Sequence, residues 1–417
     1  MAEQSKQEKK EATQAESKVL EVSSSPHLQD DSTSRRVMLE VAIGTLPAVI
    51  MAIYLFRTSA IVVLLSCLVG GMGTEWIFNA VRKKRQTILD GSALVTCLIL
   101  ALSLPPTFPW WGCVIGSVVG IGVAKMLFGG LGSNIFNPAM VGRAFLMACF
   151  GTMMTTWTAP VIQTTTADNG SASAVVSRCD PNACCKVTGG ACVCKASGKP
   201  GCGSEVAAVT QATPLALAKQ AVKTNAKLQE MNREIETLEQ EGVFSDDLKQ
   251  EYDKTRRDQK ARLANLNGNK QELFLGTISG SVGETSALLW LLGGLFLLWR
   301  RTITFHIPLA VLASALVLAT GAWLIDSEVY PDPLVHLCGG GLMMCAFFIA
   351  TDPVSCPLSK RGRVIFGIGV GVLVMLIRLI GGYPEGVMYA VLLMNSMTPL
   401  LDRWTRPTPL GGHVKKE

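Results

Sequence analysis

Three groups of residues in this sequence could do chemistry. Six cysteines, Cys179, Cys184, Cys185, Cys192, Cys194 and Cys202, fall within 24 residues. None of their spacings is the CxxC pair on which zinc and iron–sulfur ligation usually leans. Disulfides stapling a small loop are therefore the favoured reading, with a metal or redox centre, or an unpaired or mixed state, as the alternatives. The second group is acidic: Glu40, Glu75, Asp90, Glu284, Asp352, Glu385 and Asp402 lie in or beside apolar stretches. A carboxylate is expensive in lipid and often marks a cation or proton path. Glu75 is the most interior, and Glu75, Asp90 and Asp352 are the candidates for an ion path; those at span ends need only water. Arg378, near the end of an apolar stretch, is placed to pair with an acid or an anionic ligand. The third group is Gly129-Gly-Leu-Gly-Ser-Asn-Ile-Phe-Asn-Pro138, a glycine-dense break whose amides and asparagines suit a ligand or ion site as well as an ordinary loop. His306 and His336 stand alone, without metal-ligand spacing, and read as packing residues. No phosphate-binding loop, nucleophile elbow or dinucleotide fingerprint occurs, and no metal site is expected.

The elements that must position these residues are apolar. Of 417 residues, 49% are hydrophobic and 17% charged, and the mean hydropathy is +0.34. That argues for an all-α polytopic membrane protein, not a water-soluble domain. The net charge of +6 points to no nucleic acid, because the charges are crowded: residues 1–36 hold 13 and residues 219–272 hold 22, 11 of each sign. Ten candidate spans are 37–56, 59–80, 91–104, 110–128, 138–157, 284–299, 303–325, 336–351, 363–380 and 384–402. The third and eighth are short enough to be half-helices or re-entrant.

Basic residues set the orientation. With the N-terminus inside, the inner loops receive Arg35, Arg36, Arg82, Lys83, Lys84, Arg85, Arg300, Arg301, Lys360, Arg361, Arg363, Arg403 and Arg406, whereas the short outer loops receive only Arg57. The chain then divides into a disordered cytoplasmic tail without a signal peptide (1–36), a first five-span half (37–157), an extracytoplasmic segment (158–283), a second five-span half (284–402) and a cytoplasmic tail (403–417). Within 158–283, Leu228, Met231, Ile235 and Leu238, followed after Gly242 by Leu248, Tyr252, Leu263 and Leu266, have the period of an amphipathic helical hairpin, a solvated arm or a docking surface for a partner subunit. Aligning Pro105 with Pro353 sets Gly91–Cys97 against Gly339–Cys345, which suggests two inverted repeats with a site between broken helices. Val209-Thr-Gln-Ala-Thr-Pro-Leu215 is a polar strip opening a helix, with Thr210 or Thr213 as cap and Pro214 in the first turn.

Ordered motifs across nearly the whole chain carry a resemblance. They are Ser24-Ser-Pro-His27, Ser34-Arg-Arg-Val-Met-Leu39, Asp90-Gly-Ser-Ala-Leu94, Ser103-Leu-Pro-Pro106, Gly129 to Gly142, Gly283-Glu-Thr-Ser-Ala287, His306-Ile-Pro308, Phe347 to Pro353, Arg361-Gly-Arg363 and Gly381-Gly-Tyr-Pro384. The sequence resembles the family of the D subunit of the Rnf-type ion-translocating oxidoreductase and the B subunit of the sodium-pumping NADH:quinone reductase, and the Ser-Pro-His lead favours the Rnf member. The resemblance implies a membrane subunit, not catalytic alone, of an inner-membrane complex that couples electron transfer between ferredoxin and NAD to Na⁺ or H⁺ translocation. It implies FMN joined to Thr213 through a phosphoester made by a flavin transferase, with other complex subunits and lipid as partners. It leaves open a second, noncovalent flavin such as riboflavin. Ala207 stands where the family often has an acid, and the cysteine cluster and charged hairpin are additions to the family pattern. The rivals are a quinone-reducing pump subunit, a cofactor-free channel or transporter, and a structural anchor for redox partners.

Overall fold

The computed structural model describes residues 33–84, 86–157, 185–188, 191–194, 213–240, 246–268, 270–276, 280–284, 286–381, 383 and 385–406. The first half contributes α1 (Ser34–Phe56), α2 (Thr58–Val81), α3 (Ser92–Leu102), α4 (Trp110–Met126) and α5 (Pro138–Cys149). The segment between the halves gives a short antiparallel ribbon, β1 (Cys185–Thr188) with β2 (Ala191–Cys194), then α6 (Pro214–Gln240), α7 (Asp246–Gly268) and α8 (Lys270–Leu275). The second half has α9 (Ala287–Trp299), α10 (His306–Ile325), α11 (Pro333–Cys338), α12 (Leu342–Met344, continuing as Cys345–Ile349), α13 (Lys360–Leu379) and α14 (Val387–Trp404).

Polar side chains start these helices where apolar runs begin. Thr33 Oγ1 accepts from Arg36 N–H at 3.3 Å before α1, and Asn137 Oδ1 accepts from Ala139 N–H at 3.1 Å with Pro138 opening α5. Ser286, Asp332 and Ser359 cap α9, α11 and α13 in the same way. By length and composition four helices, α1, α2, α10 and α13, can each cross a membrane, and α3, α4, α5 and α9 are shorter apolar helices. Large apolar side chains such as Ile50, Val69, Val317 and Leu324 point outward from the long helices, as lipid-facing residues do.

Two of the ten expected spans are not continuous helices. The eighth is broken at Gly339–Gly341 into α11 and α12, and the fifth stops at Cys149, before a four-residue turn at Gly151–Met154. Gly340 has φ +69°, a left-handed conformation that a Cβ penalises, so the break is written into the residue. The third is a short helix, α3, ending at Leu102 before the two prolines Pro105 and Pro106.

Two helix pairings recur in the two halves. α2 lies on α4 as α10 lies on α13, and α1 lies on α3 as α9 lies on α12. α1 meets α9 across the middle, where Gly44 and Gly293 have no Cβ and the backbones touch. α6 and α7 form the expected hairpin: Leu228, Met231, Leu263 and Leu266 are buried between them, while Ile235 and Leu238 near the tip are half-buried.

Candidate functional site

Thr213 lies at the start of α6, buried, with its Oγ1 accepting from Ala216 N–H at 3.1 Å. It is the cap expected from the Thr-Pro pair; Thr210 and Ala207 lie outside the described residues, as do the side chains of the six clustered cysteines. The first turn of α6 sits on the break between α11 and α12. A Cβ on Gly340 would meet Leu215 Cδ1 at 2.5 Å, Arg378 Nη2 at 3.0 Å and Glu385 Oε1 at 3.0 Å, so three elements close on one glycine. Arg378 holds the break by donating to His336 O at 2.5 Å and Gly339 O at 3.1 Å. Glu385 accepts from Gly341 N–H at 2.5 Å. Lys219, one and a half turns into α6, donates to Tyr383 O at 2.6 Å; partial burial and the nearby Lys223 hold its ammonium below the usual lysine range.

Beneath this seat the charges are paired. Arg143 Nη2 lies 2.9 Å from Glu385 Oε2 and 3.4 Å from Glu284 Oε1, with Arg378 Nη2 4.0 Å from Glu385 Oε1. Two arginines and two glutamates, drawn from both halves, thus form one buried network. Removing one member would leave another as an uncompensated buried charge. Arg378, expected to find an acid or an anion, spends its best hydrogen bonds on backbone carbonyls.

A cavity opens between the halves at the other ends of α3 and α12. Met38, Ser92, Lys125, Asn134, Asn137, Phe347 and Asp352 are among its lining residues. Lys125 lies in the wide-turned π segment of α4, Val119–Met126, and donates to Glu75 Oε2 at 2.9 Å and Ser92 Oγ at 2.7 Å. Thr87 Oγ1 donates to Glu75 Oε1 at 2.5 Å. Asn137 Nδ2 reaches Ile349 O at 3.3 Å and so ties the two halves together beside the cavity, while the buried Asn134 Oδ1 has no partner.

The three candidate ion-path acids are therefore placed differently. Glu75 sits behind Lys125 with its charge paired, Asp352 lines the cavity and accepts from Ser355 Oγ at 3.0 Å, and Asp90 closes the Ile88–Asp90 turn, half-buried, away from the lining. Glu40 is fixed by Arg300 Nη2 at 2.6 Å and by Thr302 across α1 and the turn after α9, and Asp402 accepts from Leu358 N–H at 2.9 Å. His306 stacks on Phe305 with ring centroids 4.3 Å apart, as a packing residue would. Among the described residues no group of three His, Cys, Asp or Glu side chains could hold a metal, and seven cysteines, Cys67, Cys97, Cys113, Cys149, Cys338, Cys345 and Cys356, are free.

The family model described as NQR2, RnfD, RnfE matches residues 21–411, nearly the whole chain. The chain belongs to the NQR2, RnfD, RnfE family. Among its relatives is the D subunit of the proton-translocating ferredoxin:NAD(+) oxidoreductase complex of Clostridium ljungdahlii, 35% identical over 398 residues that cover 95% of this chain and 98% of that one. The D subunit of the ion-translocating oxidoreductase complex of Escherichia coli is 34% identical over 403 residues, 94% of this chain and 99% of that one, and its namesake from Shigella dysenteriae is 33% identical over 402 residues, with the same shares covered.

Several motifs that carry the resemblance to the NQR2, RnfD, RnfE family fall on the two sites. The Gly129 to Gly142 run supplies Asn134 and Asn137 to the cavity and opens α5, and Phe347 to Pro353 forms the facing wall. Gly283-Glu-Thr-Ser-Ala287 and the stretch after Gly381 bring Glu284 and Glu385 to Arg143. Lys125 and Arg143 are not among the residues that sequence reasoning singles out. The signal is there: each is the only basic residue of an apolar run, and each is needed to neutralise an acid that the sequence does single out.

Proposed function

We propose that this chain is the D subunit of an Rnf-type complex, carrying FMN as a phosphoester on Thr213. In this reading the complex moves electrons between ferredoxin and NAD and uses them to drive Na⁺ or H⁺ across a bacterial inner membrane. Family membership over nearly the full length supports the complex, and the placement of Thr213 supports the attachment. The Thr213 hydroxyl is at the N-terminus of a 27-residue helix, where first-turn N–H groups and the helix dipole favour a phosphate. FMN held there supplies a tethered one- or two-electron carrier. The chain itself anchors it: Pro214 fixes the first turn, Leu215 packs on Gly340, and Lys219 ties α6 to Tyr383.

The same reading has ten membrane segments in two inverted five-segment repeats, α1 to α5 and α9 to α14. The paired packing of α2 with α4 and α10 with α13 supports it. Both termini are cytoplasmic, and α6 and α7 lie outside. The inner cavity beside Asn134, Asn137 and Lys125 suits a second, noncovalent flavin such as riboflavin: apolar walls and a few convergent donors are what a flat heterocycle requires. Glu75, Asp90 and Asp352 are the proposed acids of the ion path, with Asp352 facing the cavity.

The chain, made together with a flavin transferase, should fluoresce on a denaturing gel, and Thr213→Ala should abolish that band. Fluorescent Thr213→Ala protein would rule out the site. Reduction of a quinone, in place of NAD, by the assembled complex would move the chain to the quinone-reducing branch of the family.

A further inference from the structure

A polar groove of about 430 Å³ lies between α6, α7 and the turn that follows α10, within the size range of a small-ligand site. Three cations and three carboxylates line it: Arg233 and Glu236 from α6, Arg256 and Lys260 from α7, and Asp326 and Glu328 from the turn. Their formal charges sum to zero, but the chain does not pair them all. Glu328 alone receives both Lys260, at 2.9 Å, and Arg256, at 3.6 Å. Among the described residues Arg233 has no ion pair, and the Asp326 carboxylate meets only the Glu328 N–H, at 2.9 Å. The groove therefore holds a guanidinium and a carboxylate that the chain leaves unmatched.

The groove also stands at a membrane surface. α10 is long and apolar enough to cross a bilayer, and its last two residues, Leu324 and Ile325, are 72% and 84% exposed. Apolar side chains so exposed at the end of a span face lipid tails, so Asp326, the next residue, stands at the level of the head groups. Tyr252, half-buried in the lining, has the amphipathic ring favoured at that level. Position and charge together select a ligand class. A phospholipid head group that carries a phosphate and a primary ammonium has no net charge, as the groove has none. Its phosphate suits the guanidinium forks of Arg233 and Arg256, and its ammonium donates to carboxylates. A purely anionic head group would satisfy the cations and be repelled by Asp326 and Glu236.

We infer that the groove between α6, α7 and the turn 326–329 binds the head group of a zwitterionic aminophospholipid, with the acyl chains running along α10 past Ile325 and Leu324. The lipid bridges the helical arm and the bilayer, and so helps to hold in place the helix that opens at Thr213. The inference does not depend on what Thr213 carries.

The test is native mass spectrometry of the full chain in detergent, with phosphatidylethanolamine or phosphatidylglycerol added. Wild-type protein should retain one phosphatidylethanolamine under activation that strips phosphatidylglycerol. Arg233→Gln, which breaks no ion pair, should lower that retention about tenfold, the worth of one charged hydrogen bond. Arg257→Gln, exposed and outside the lining, should leave it unchanged. In nanodiscs, hydrogen exchange across α7 and the turn 326–329 should be slower with phosphatidylethanolamine than with phosphatidylglycerol, and Arg233→Gln should erase the difference. Equal retention of the two lipids, or retention unchanged in Arg233→Gln, overturns the proposal. Retention unchanged in Arg233→Gln together with weaker assembly of the complex overturns it in favour of a partner subunit in the groove.

Discussion

Lys125 Nζ lies 2.9 Å from Glu75 Oε2 in the interior of the first half, with side-chain exposures of 3% and 0%. The pair joins α4 to α2 beside the inner cavity, and Ser92 at the start of α3 completes the ammonium's shell. A span carrying one acid and a span carrying one base are each costly in lipid; together they are nearly neutral.

Breaking this pair from one side should be more damaging than removing it whole. Lys125→Met or Glu75→Leu leaves a buried partner unsatisfied, at a cost of about 3–5 kcal/mol. Lys125→Met combined with Glu75→Leu should lose less than the sum of the single variants. Thermal unfolding midpoints in nanodiscs check this as a double-mutant cycle.

Neither the Lys125–Glu75 pair nor the Arg143 network could be read from the sequence. Their partners are 50, 141 and 242 residues apart, and nothing in local periodicity says which acid faces which base. What is local was legible. The Thr213-Pro214 cap, the apolar segments, the hairpin from Leu228 to Leu266 and the weakness of the eighth span all follow from residue order and spacing. The stop of α5 at Cys149 escaped, because Phe150 and Gly151 are apolar and continue the composition of a span while ending its helix.

Gly340→Ala should loosen the α6 seat. The position has φ +69° and its Cβ would meet Leu215, so strain of about 1–3 kcal/mol is expected. The expected outcome is a lower unfolding midpoint with faster proteolysis near Leu215. Gly321→Ala, where a Cβ meets nothing, serves as the control.

The arm formed by α6, α7 and α8 should detach in acid. Glu328 is held below the usual carboxylate range by its hydrogen bond and charge interaction with Lys260, aided by Arg256. At Asp332 burial pushes upward, but Lys270 and the Leu334 N–H outweigh it and hold the carboxyl low. Because both folded values lie below the unfolded value of about 4, the contribution is complete above that pH and is lost as pH falls through the folded values. Hydrogen exchange across α7 and α8 should be flat from neutral pH to about 5 and rise below about 4, once corrected for intrinsic rates.

Cysteines placed in the arm and at the C-terminus give the orientation. In a chain whose 13 native cysteines are replaced by serine or alanine, an impermeant maleimide applied to intact cells should label Thr224→Cys in α6 and spare a cysteine appended after Glu417, and permeabilised cells should label both. The reverse pattern would contradict the orientation.

The attachment of flavin at Thr213 is tested most directly by the intact mass of the chain made with and without a flavin transferase, followed by fragmentation. The account predicts a gain equal to FMN less one water, located on the peptide holding Thr213 and absent from Thr213→Ala. An unmodified mass in the presence of active transferase, or the adduct on any other residue, would contradict it.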